Sequence, residues 1–393
     1  PAGRRRGYRA PAMRVLVATT AGAGHFGPMQ PFAAALRQAG HEVVVAAPAS
    51  FAGPVARAGF EHRPFADASP EELGRIFASL EGASNEEGNA VVIREVFGRL
   101  GTRAALPGMA TLVDDWRPDL VMREPSELSS FLVAESRGVP QVQVSCGLAS
   151  FDAVSLDLLR EALAELGADP GLGGLRSATR LSLLPASFDL PADGLTAPLR
   201  FRDDHGAAVA EPLPAWWVEP DLPLVYVTFG SVAAGLGLFP SLYLAVMEAV
   251  ADLPVQVLLT TGEAGDPATL SPVPANVHVE AWWPQGAVMP HAAAMVGHGG
   301  FGTTLLGLAA GVPMVVVPLF ADQPHNARRV EEVGAGVALH GGAADLDRLP
   351  AAVMEVLGSA AHRGMARGIA AEIADLPPVS DAVAVLEAHA GRS

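Results

Sequence analysis

The run His298-Gly299-Gly300-Phe301-Gly302-Thr303-Thr304, followed by Gly311-Val312-Pro313 and Ala321-Asp322-Gln323, has the make-up of a diphosphate grip with a sugar reader attached. Val296 ends an apolar strand, His298 to Gly302 form a glycine-rich turn, and Thr303 to Ala310 has helix-forming composition. Backbone N–H groups and the positive end of a helix then face whatever sits above the turn, which favours an anion. A glycine-rich turn alone also fits an ordinary strand-to-helix connection in an α/β core. His298 and the Asp322-Gln323 pair tip the reading toward a ligand site.

A second glycine-rich turn carries the reactive candidate. Gly22-Ala23-Gly24-His25-Phe26-Gly27 follows a strand, opens a helix and formally satisfies the dinucleotide fingerprint. That fingerprint also needs an acidic residue about 20 positions on, at the tip of the second strand, to hold a ribose hydroxyl. Here the strand runs Val43-Val44-Val45-Ala46-Ala47-Pro48 with no carboxylate at its end, which argues against a nicotinamide or flavin enzyme. His25 precedes Pro28, a residue suited to the first turn of a helix. A histidine there titrates near neutrality and suits removal of a proton from an attacking hydroxyl, provided a carboxylate orients the ring. Glu124 is the expected partner, because it follows the strand Asp119-Leu120-Val121-Met122-Arg123, whose carboxyl end opens on the same cleft. Read singly, His25 also fits a loop-packing residue and Glu124 a solvated acid.

The elements that position these residues are legible in outline. With 393 residues, 50% hydrophobic and 17% charged, the chain has core enough for two or three domains of roughly 150 residues. Its net charge of −16 argues against nucleic acid and anionic membrane as partners, since both reward clustered Lys and Arg. A single cysteine, Cys146, excludes an internal disulfide framework and a Cys-rich metal site, and reads as a small buried hydrophobe at a strand end. No apolar stretch approaches the roughly 20 residues of a membrane span, so a soluble, cytoplasmic protein without membrane insertion is expected. Residues 1–12 are basic, lack an apolar signal core and read as a disordered or artificial leader before Met13.

Strand-like runs alternate with helix-length segments, which predicts an α/β fold of two doubly wound, Rossmann-like domains with parallel sheets. Arg14–Thr20, Glu42–Ala47, Leu120–Met122, Gln141–Val144 and Leu181–Leu184 are the strands expected in a first sheet that ends near Pro185. From Pro191 to Pro223 the chain is rich in Pro, Asp and aromatic residues, including Asp203-Asp204 and Trp216-Trp217, and reads as an interdomain connection. Leu224–Phe229, Val255–Thr260, Val277–Glu280, Ala294–Val296, Met314–Val317 and Val337–Leu339 supply a second sheet. The expected layout is a domain over 13–202, a linker over 203–220, a second domain over 221–376, and a tail over 377–393 whose helix Asp381–His389 packs back on the first domain. Ligands of open parallel sheets bind outside the carboxyl ends of strands, so the segments after Thr20, Phe229 and Val296 should meet across one cleft.

Together, Trp282-Trp283-Pro284-Gln285, the His298 to Thr304 motif, Gly311-Val312-Pro313, Pro318, Asp322-Gln323 and the Gly24-His25 loop resemble the family 1 glycosyltransferases of the GT-B fold, especially bacterial enzymes that decorate natural products. The resemblance spans essentially Met13 to the C-terminus. It implies His25 as general base and Glu124 at the position of its partner, commonly Asp. Ser231, His298 and the Gly302-Thr303 backbone, within the His298-Gly299-Gly300 turn, would contact the diphosphate. Trp282 would stack on the nucleobase beside Trp283 and Gln285, and Asp322 and Gln323 would bind donor-sugar hydroxyls. The resemblance implies inverting transfer, and a metal-independent reaction is expected because fixed donors at a helix end stabilise a leaving diphosphate without solvent rearrangement. Asp345-Leu346-Asp347, the compact Asp-x-Asp, reads as a helix cap rather than a Mg²⁺ ligand.

Members that use UDP-sugars commonly carry glutamate eight positions beyond the motif histidine to bind ribose hydroxyls, whereas this chain has Leu306. A 2′-hydroxyl would be poorly matched there, at a cost of about 1–3 kcal/mol if buried, so a dTDP-sugar, and a deoxysugar, is favoured over a UDP-sugar. No cofactor is expected beyond that donor substrate. The acceptor pocket is expected from the irregular, helix-rich Phe65–Met109 and from Cys146–Leu156, with Phe77, Ile93, Phe97, Met109, Phe151 and Leu156 as apolar candidates. A hydrophobic polyketide, enediyne, macrolide or aromatic aglycone follows from the resemblance. A non-catalytic auxiliary of another transferase is disfavoured by the intact His25, His298, Thr303, Asp322 and Gln323. A sugar-nucleotide epimerase or a cell-wall glycosyltransferase on the same scaffold remains the other alternative, and its lipid-linked version lacks a membrane-facing stretch. The sequence leaves oligomeric state open.

Overall fold

A computed structural model of the chain describes residues 12–203, 214 and 222–391. Nearly all of the expected leader and of the 203–220 linker, including Trp216-Trp217, lies outside those residues. Among the described residues thirteen strands form two sheets, all paired in parallel. The first holds β1 (Arg14–Ala18), β2 (Glu42–Pro48), β3 (Glu61–Phe65), β4 (Leu120–Arg123), β5 (Gln141–Val144), β6 (Thr179–Ser182) and β7 (Leu199–Arg200), in the order β3-β2-β1-β4-β5-β6-β7. The second holds β8 (Leu224–Thr228), β9 (Gln256–Thr260), β10 (Val277–Glu280), β11 (Ala292–Gly297), β12 (Met314–Val316) and β13 (Gly336–Ala338), in the order β10-β9-β8-β11-β12-β13. Central strands such as Leu224–Thr228 are buried along their whole length, as expected where helices cover both faces of a parallel sheet.

Three strand readings need correction. Glu61–Phe65 was absent from the expected set because it is an edge strand, charged and carrying Pro64, with only Phe65 fully buried. The first sheet continues past Pro185 into the two-residue β7, too short to leave a pattern. The strand expected at Leu181–Leu184 begins at Thr179, because Arg180 is buried inside it rather than preceding it.

In each sheet the strand order reverses once, between β1 and β4 and between β8 and β11, and the loops after those strands part to either side of a crevice. In the first sheet Ala18 pairs with Arg123, which brings the loop after β1 against Glu124. In the second Thr228 pairs with Gly297, which brings Gly230 against His298. The tail helix Ala382–Ala390 packs against the core of the first sheet. Val379, Ala382 and Leu386 are buried with Met13, Val15 and Phe32, and His389 Nε2 donates to the Gln141 carbonyl at 3.0 Å. Asp345 does not cap the next helix. It sits in a 3-10 turn, Gly342–Arg348, and its carboxylate accepts from the Gly341 N–H four residues earlier at 2.8 Å.

Candidate active site

Glu124 is fully buried at the carboxyl end of β4, held by two backbone donors: Thr20 N–H to Oε1 at 3.1 Å and Ser126 N–H to Oε2 at 2.6 Å. His25 sits in the short helix Ala23–Phe26 that follows β1, and its Nδ1 donates to Glu124 Oε2 at 3.0 Å. The extra methylene of glutamate therefore still reaches the ring. Burial pulls the His25 pKa down, but the charge and hydrogen bond of Glu124, with the field of Asp322, outweigh it and leave the pKa above its ordinary value. Burial disfavours the Glu124 carboxylate in turn, yet His25 and the two backbone donors hold its pKa below the usual range.

Across the crevice, Gly300 starts the helix Phe301–Ala310 in an extended conformation and supplies no side-chain cap. The first intrahelical bond runs from Thr304 N–H to the Gly300 carbonyl at 2.9 Å, so the N–H groups of Phe301, Gly302 and Thr303 precede the ladder at a helix end of the kind that favours anions. Gly302 is exposed in that first turn and Thr303 is buried. Gly299, at φ +82°, has to be glycine twice over: the backbone is left-handed, and a Cβ would lie 2.7 Å from Val316 Cγ1 and 3.2 Å from the Gln323 carbonyl. The His298 ring is buried against Gly230, where a Cβ would come within 2.8 Å of it. Burial lowers the His298 pKa to about 4, so the ring is neutral, and its Nδ1 has no partner among the described residues. Ser231 lies exposed directly after Gly230. Trp282 is 64% exposed, which leaves its face open for stacking, whereas Trp283 is partly packed against the core. Gln285 is partly committed, since its Nε2 donates to Tyr226 OH at 3.2 Å.

Asp322 and Gln323 begin the helix Gln323–Glu332 and differ in what they leave free. Gln323 Oε1 accepts from Leu319 N–H at 2.8 Å and Phe320 N–H at 3.0 Å, so its carbonyl holds the loop and only its amide NH₂ is left to donate. Burial raises the Asp322 pKa to about 6, against the hydrogen bond from Asn326 Nδ2 at 2.7 Å. The Asp322 carboxylate faces the first domain: a Cβ at Gly147 would lie 3.8 Å from its Oδ2. The two domains thus bring His25, Glu124 and Asp322 to one place.

The apolar candidates separate. Phe97 lies 5.6 Å from the His25 ring, centroid to centroid, and Phe151 packs 5.1 Å from His325 of the other domain, so both border the crevice. Met109 is a correction: it is fully buried with Leu16, Ala18 and Val44 in the core under the first sheet, because its helix turns that face inward. Ile93 and Leu156 are likewise buried together in a core cluster. Phe77, on the helix Pro70–Ala78, is 54% exposed.

Residues missed by sequence reasoning complete the site. Asn326 Nδ2 bridges the Gly299 carbonyl at 2.8 Å and Asp322, and its spacing four residues after Asp322 on one helix was the available signal. Asn89 Nδ2 donates across the crevice to the carbonyl of Ala321 at 2.6 Å. Cys146, expected as a buried strand-end hydrophobe, is only partly buried, and its Sγ lies 3.8 Å from His25 Nδ1. Neither contact is visible without the fold, since each joins residues far apart in the chain.

Two parallel-sheet domains facing each other across such a crevice are the GT-B architecture of glycosyltransferases. SnogD, a glycosyltransferase from Streptomyces nogalater, shares it with a TM-score of 0.73 at 30% identity, over 97% of this chain and 100% of its own. Residues 34–230 and 244–388 match the N-terminal and C-terminal domains described as erythromycin biosynthesis protein CIII-like, and the chain belongs to this family of antibiotic glycosyltransferases. The L-demethylnoviosyl transferase of Streptomyces niveus is 34% identical across 93% of this chain and 95% of that relative. SsfS6 from Streptomyces sp. SF2575, a glycosyltransferase whose structure holds thymidine diphosphate, is 29% identical with a TM-score of 0.71, over 96% of this chain and 99% of its own.

Proposed function

We propose that this glycosyltransferase moves a sugar, preferably a deoxysugar, from a dTDP-sugar to a hydroxyl of a hydrophobic natural-product aglycone, with inversion and without a metal. The observation that carries the reading is the His25–Glu124 pair at 3.0 Å, set across the crevice from Asp322 and beside an uncapped helix end.

In this reading Nδ1 of His25 is committed to Glu124, which leaves Nε2 as the base. It takes the acceptor's hydroxyl proton while that oxygen attacks the anomeric carbon. The bond from the anomeric carbon to the β-phosphate oxygen breaks on the opposite face, so configuration inverts and the electron pair leaves with the nucleoside diphosphate. The growing negative charge meets the Gly302 and Thr303 N–H groups, His298 and Ser231, all fixed before the reaction begins. A neutral His298 serves as a donor there without the solvation cost of a buried cation. Asp322 accepts from donor-sugar hydroxyls and Gln323 donates to them through its NH₂. Trp282 offers the nucleobase a stacking face, with Trp283 and Gln285 behind it. Phe97 and Phe151 line the acceptor side.

The donor preference rests on Leu306, which packs partly buried against the second domain's core and offers no acceptor to a ribose hydroxyl. The thymidine diphosphate held by SsfS6 supports the same choice. Calorimetric titration should find dTDP about tenfold tighter than UDP, the ratio expected for one mismatched buried hydroxyl. Tighter binding of UDP would overturn the dTDP assignment.

A further inference from the structure

Among the described residues one group of three has ligand atoms placed for a metal ion: His25, Glu124 and Cys146, all within 4.8 Å of one another. We propose that this triad is an inhibitory site for a thiophilic divalent cation of the zinc class, which binds His25 Nδ1, a Glu124 oxygen and Cys146 Sγ and switches transfer off. Tetrahedral zinc, with bonds of about 2.0–2.3 Å to nitrogen, oxygen and sulfur, sets its ligands about 3.3–3.6 Å apart. The protein already holds Nδ1 at 3.0 Å from Glu124 Oε2 and 3.8 Å from Cys146 Sγ, so small side-chain shifts complete three corners and leave a fourth for water.

The surroundings suit a cation. Glu124 is buried and fixed by the Thr20 and Ser126 N–H groups, the kind of outer support that orients a ligating carboxylate. Asp322 adds negative charge beside Gly147, the neighbour of Cys146. The His25 side chain is 28% exposed, which gives an ion access from the crevice. A thiolate and an imidazole select zinc over magnesium, which demands oxygen ligands. Burial and the surrounding carboxylates keep the Cys146 thiol protonated, with a pKa well above its ordinary value, so the metal has to displace that proton to solvent. Coordination at Nδ1 also moves the remaining imidazole proton to Nε2. The nitrogen that would accept the acceptor's proton is then already protonated.

The shut-off rests on His25 being the base, whereas metal binding does not. The test uses Co²⁺ as the spectroscopic probe and Zn²⁺ as the inhibitor, on wild type, Cys146→Ala, Cys146→Ser and His25→Ala, each first shown to bind dTDP. Wild type should develop a thiolate-to-cobalt charge-transfer band that saturates at one ion per chain. The band should vanish in Cys146→Ala and weaken in His25→Ala. Zn²⁺, but not Mg²⁺, should inhibit wild-type transfer reversibly with chelator, and the half-inhibiting concentration should rise at least about tenfold in both Cys146 variants, each scaled to its own chelated rate. No thiolate band in wild type, or equal zinc sensitivity with and without the thiol, overturns the site. A saturated band with undiminished transfer would leave the metal site standing and remove His25 from the role of base.

Discussion

At the scale of residues, the pairing of His25 with Glu124 makes a definite pH dependence. Protonated His25 has no lone pair for the acceptor's proton, so transfer should appear as pH rises through a His25 pKa lying above 6.5. Replacing Glu124 by Gln removes the charge that raises this pKa and leaves burial, which lowers it. The acid limb of kcat/KM should then move to lower pH until the ionisation of Asp322, at about 6, becomes limiting. A limb that stays in place in Glu124→Gln would mean that the carboxylate does not set the state of His25. The same raised pKa contributes folding stability at pH below about 6.5 that is lost as pH rises through the folded value. The residues of the proposed donor half stood out in the sequence because glycine, histidine and acid fall at motif spacing in one stretch of chain. Asn89, Asn326 and Cys146 were less so, because an amide or a thiol acquires meaning only from what the fold sets against it. Met109 and Phe97 looked alike as apolar residues of one segment, and only the facing of their helices separates core from crevice.

At the scale of elements, the first sheet carries buried polar chemistry beneath the site. Arg123 Nη2 donates to Gln143 Oε1 at 2.9 Å, and Gln143 Nε2 donates to Asp152 Oδ2 at 2.9 Å. Asp152 also accepts from Arg180 Nη1 at 3.0 Å, and Arg123 Nη1 donates to the Glu124 backbone carbonyl at 3.2 Å. This chain of contacts ties β4, β5 and β6 to the helix Ala149–Glu165 and ends at the backbone carbonyl of Glu124, the residue whose side chain holds His25. Burial raises the Asp152 pKa to about 7 despite Arg180, so losing the arginine strands a costly group. Arg180→Met should destabilise the protein by about 3–5 kcal/mol in urea unfolding, and the double variant Asp152→Leu/Arg180→Met should recover a large part of that loss. Additive losses in the pair would dissolve the network. Such charges inside strands are also why the strand holding Arg180 was misplaced, since the period-based signal relies on apolar runs. A second hidden element is the i→i+5 hydrogen-bonded segment Val92–Gly101, which carries Phe97 to the His25 ring. Its sequence reads as helix, and nothing in its pattern marks the widened register.

At the scale of the molecule, the two sheets followed from strand rhythm, and the crevice from the glycine-rich segments expected at the carboxyl ends of their strands. The closeness of the halves did not. Arg329 Nε donates to the Phe188 carbonyl at 2.7 Å, while Val379 N–H donates to the Arg202 carbonyl at 3.0 Å and Arg202 N–H to the Pro377 carbonyl at 2.9 Å. The Asn89 amide also reaches the Ala321 carbonyl, just ahead of Asp322. Asn89→Ala should therefore lower kcat/KM about threefold to tenfold, the worth of one hydrogen bond, while dTDP affinity stays unchanged. Weaker nucleotide binding with normal turnover would place Asn89 in donor binding and not in closure.

The central claim is that one domain supplies the base and the other grips the donor. It is tested most directly by measuring transfer to an alcohol acceptor and dTDP affinity on the same preparation of His25→Ala. The account predicts a loss of transfer by roughly 10²–10⁴-fold, the usual worth of a positioned base, with dTDP binding intact. Turnover equal to wild type would contradict it.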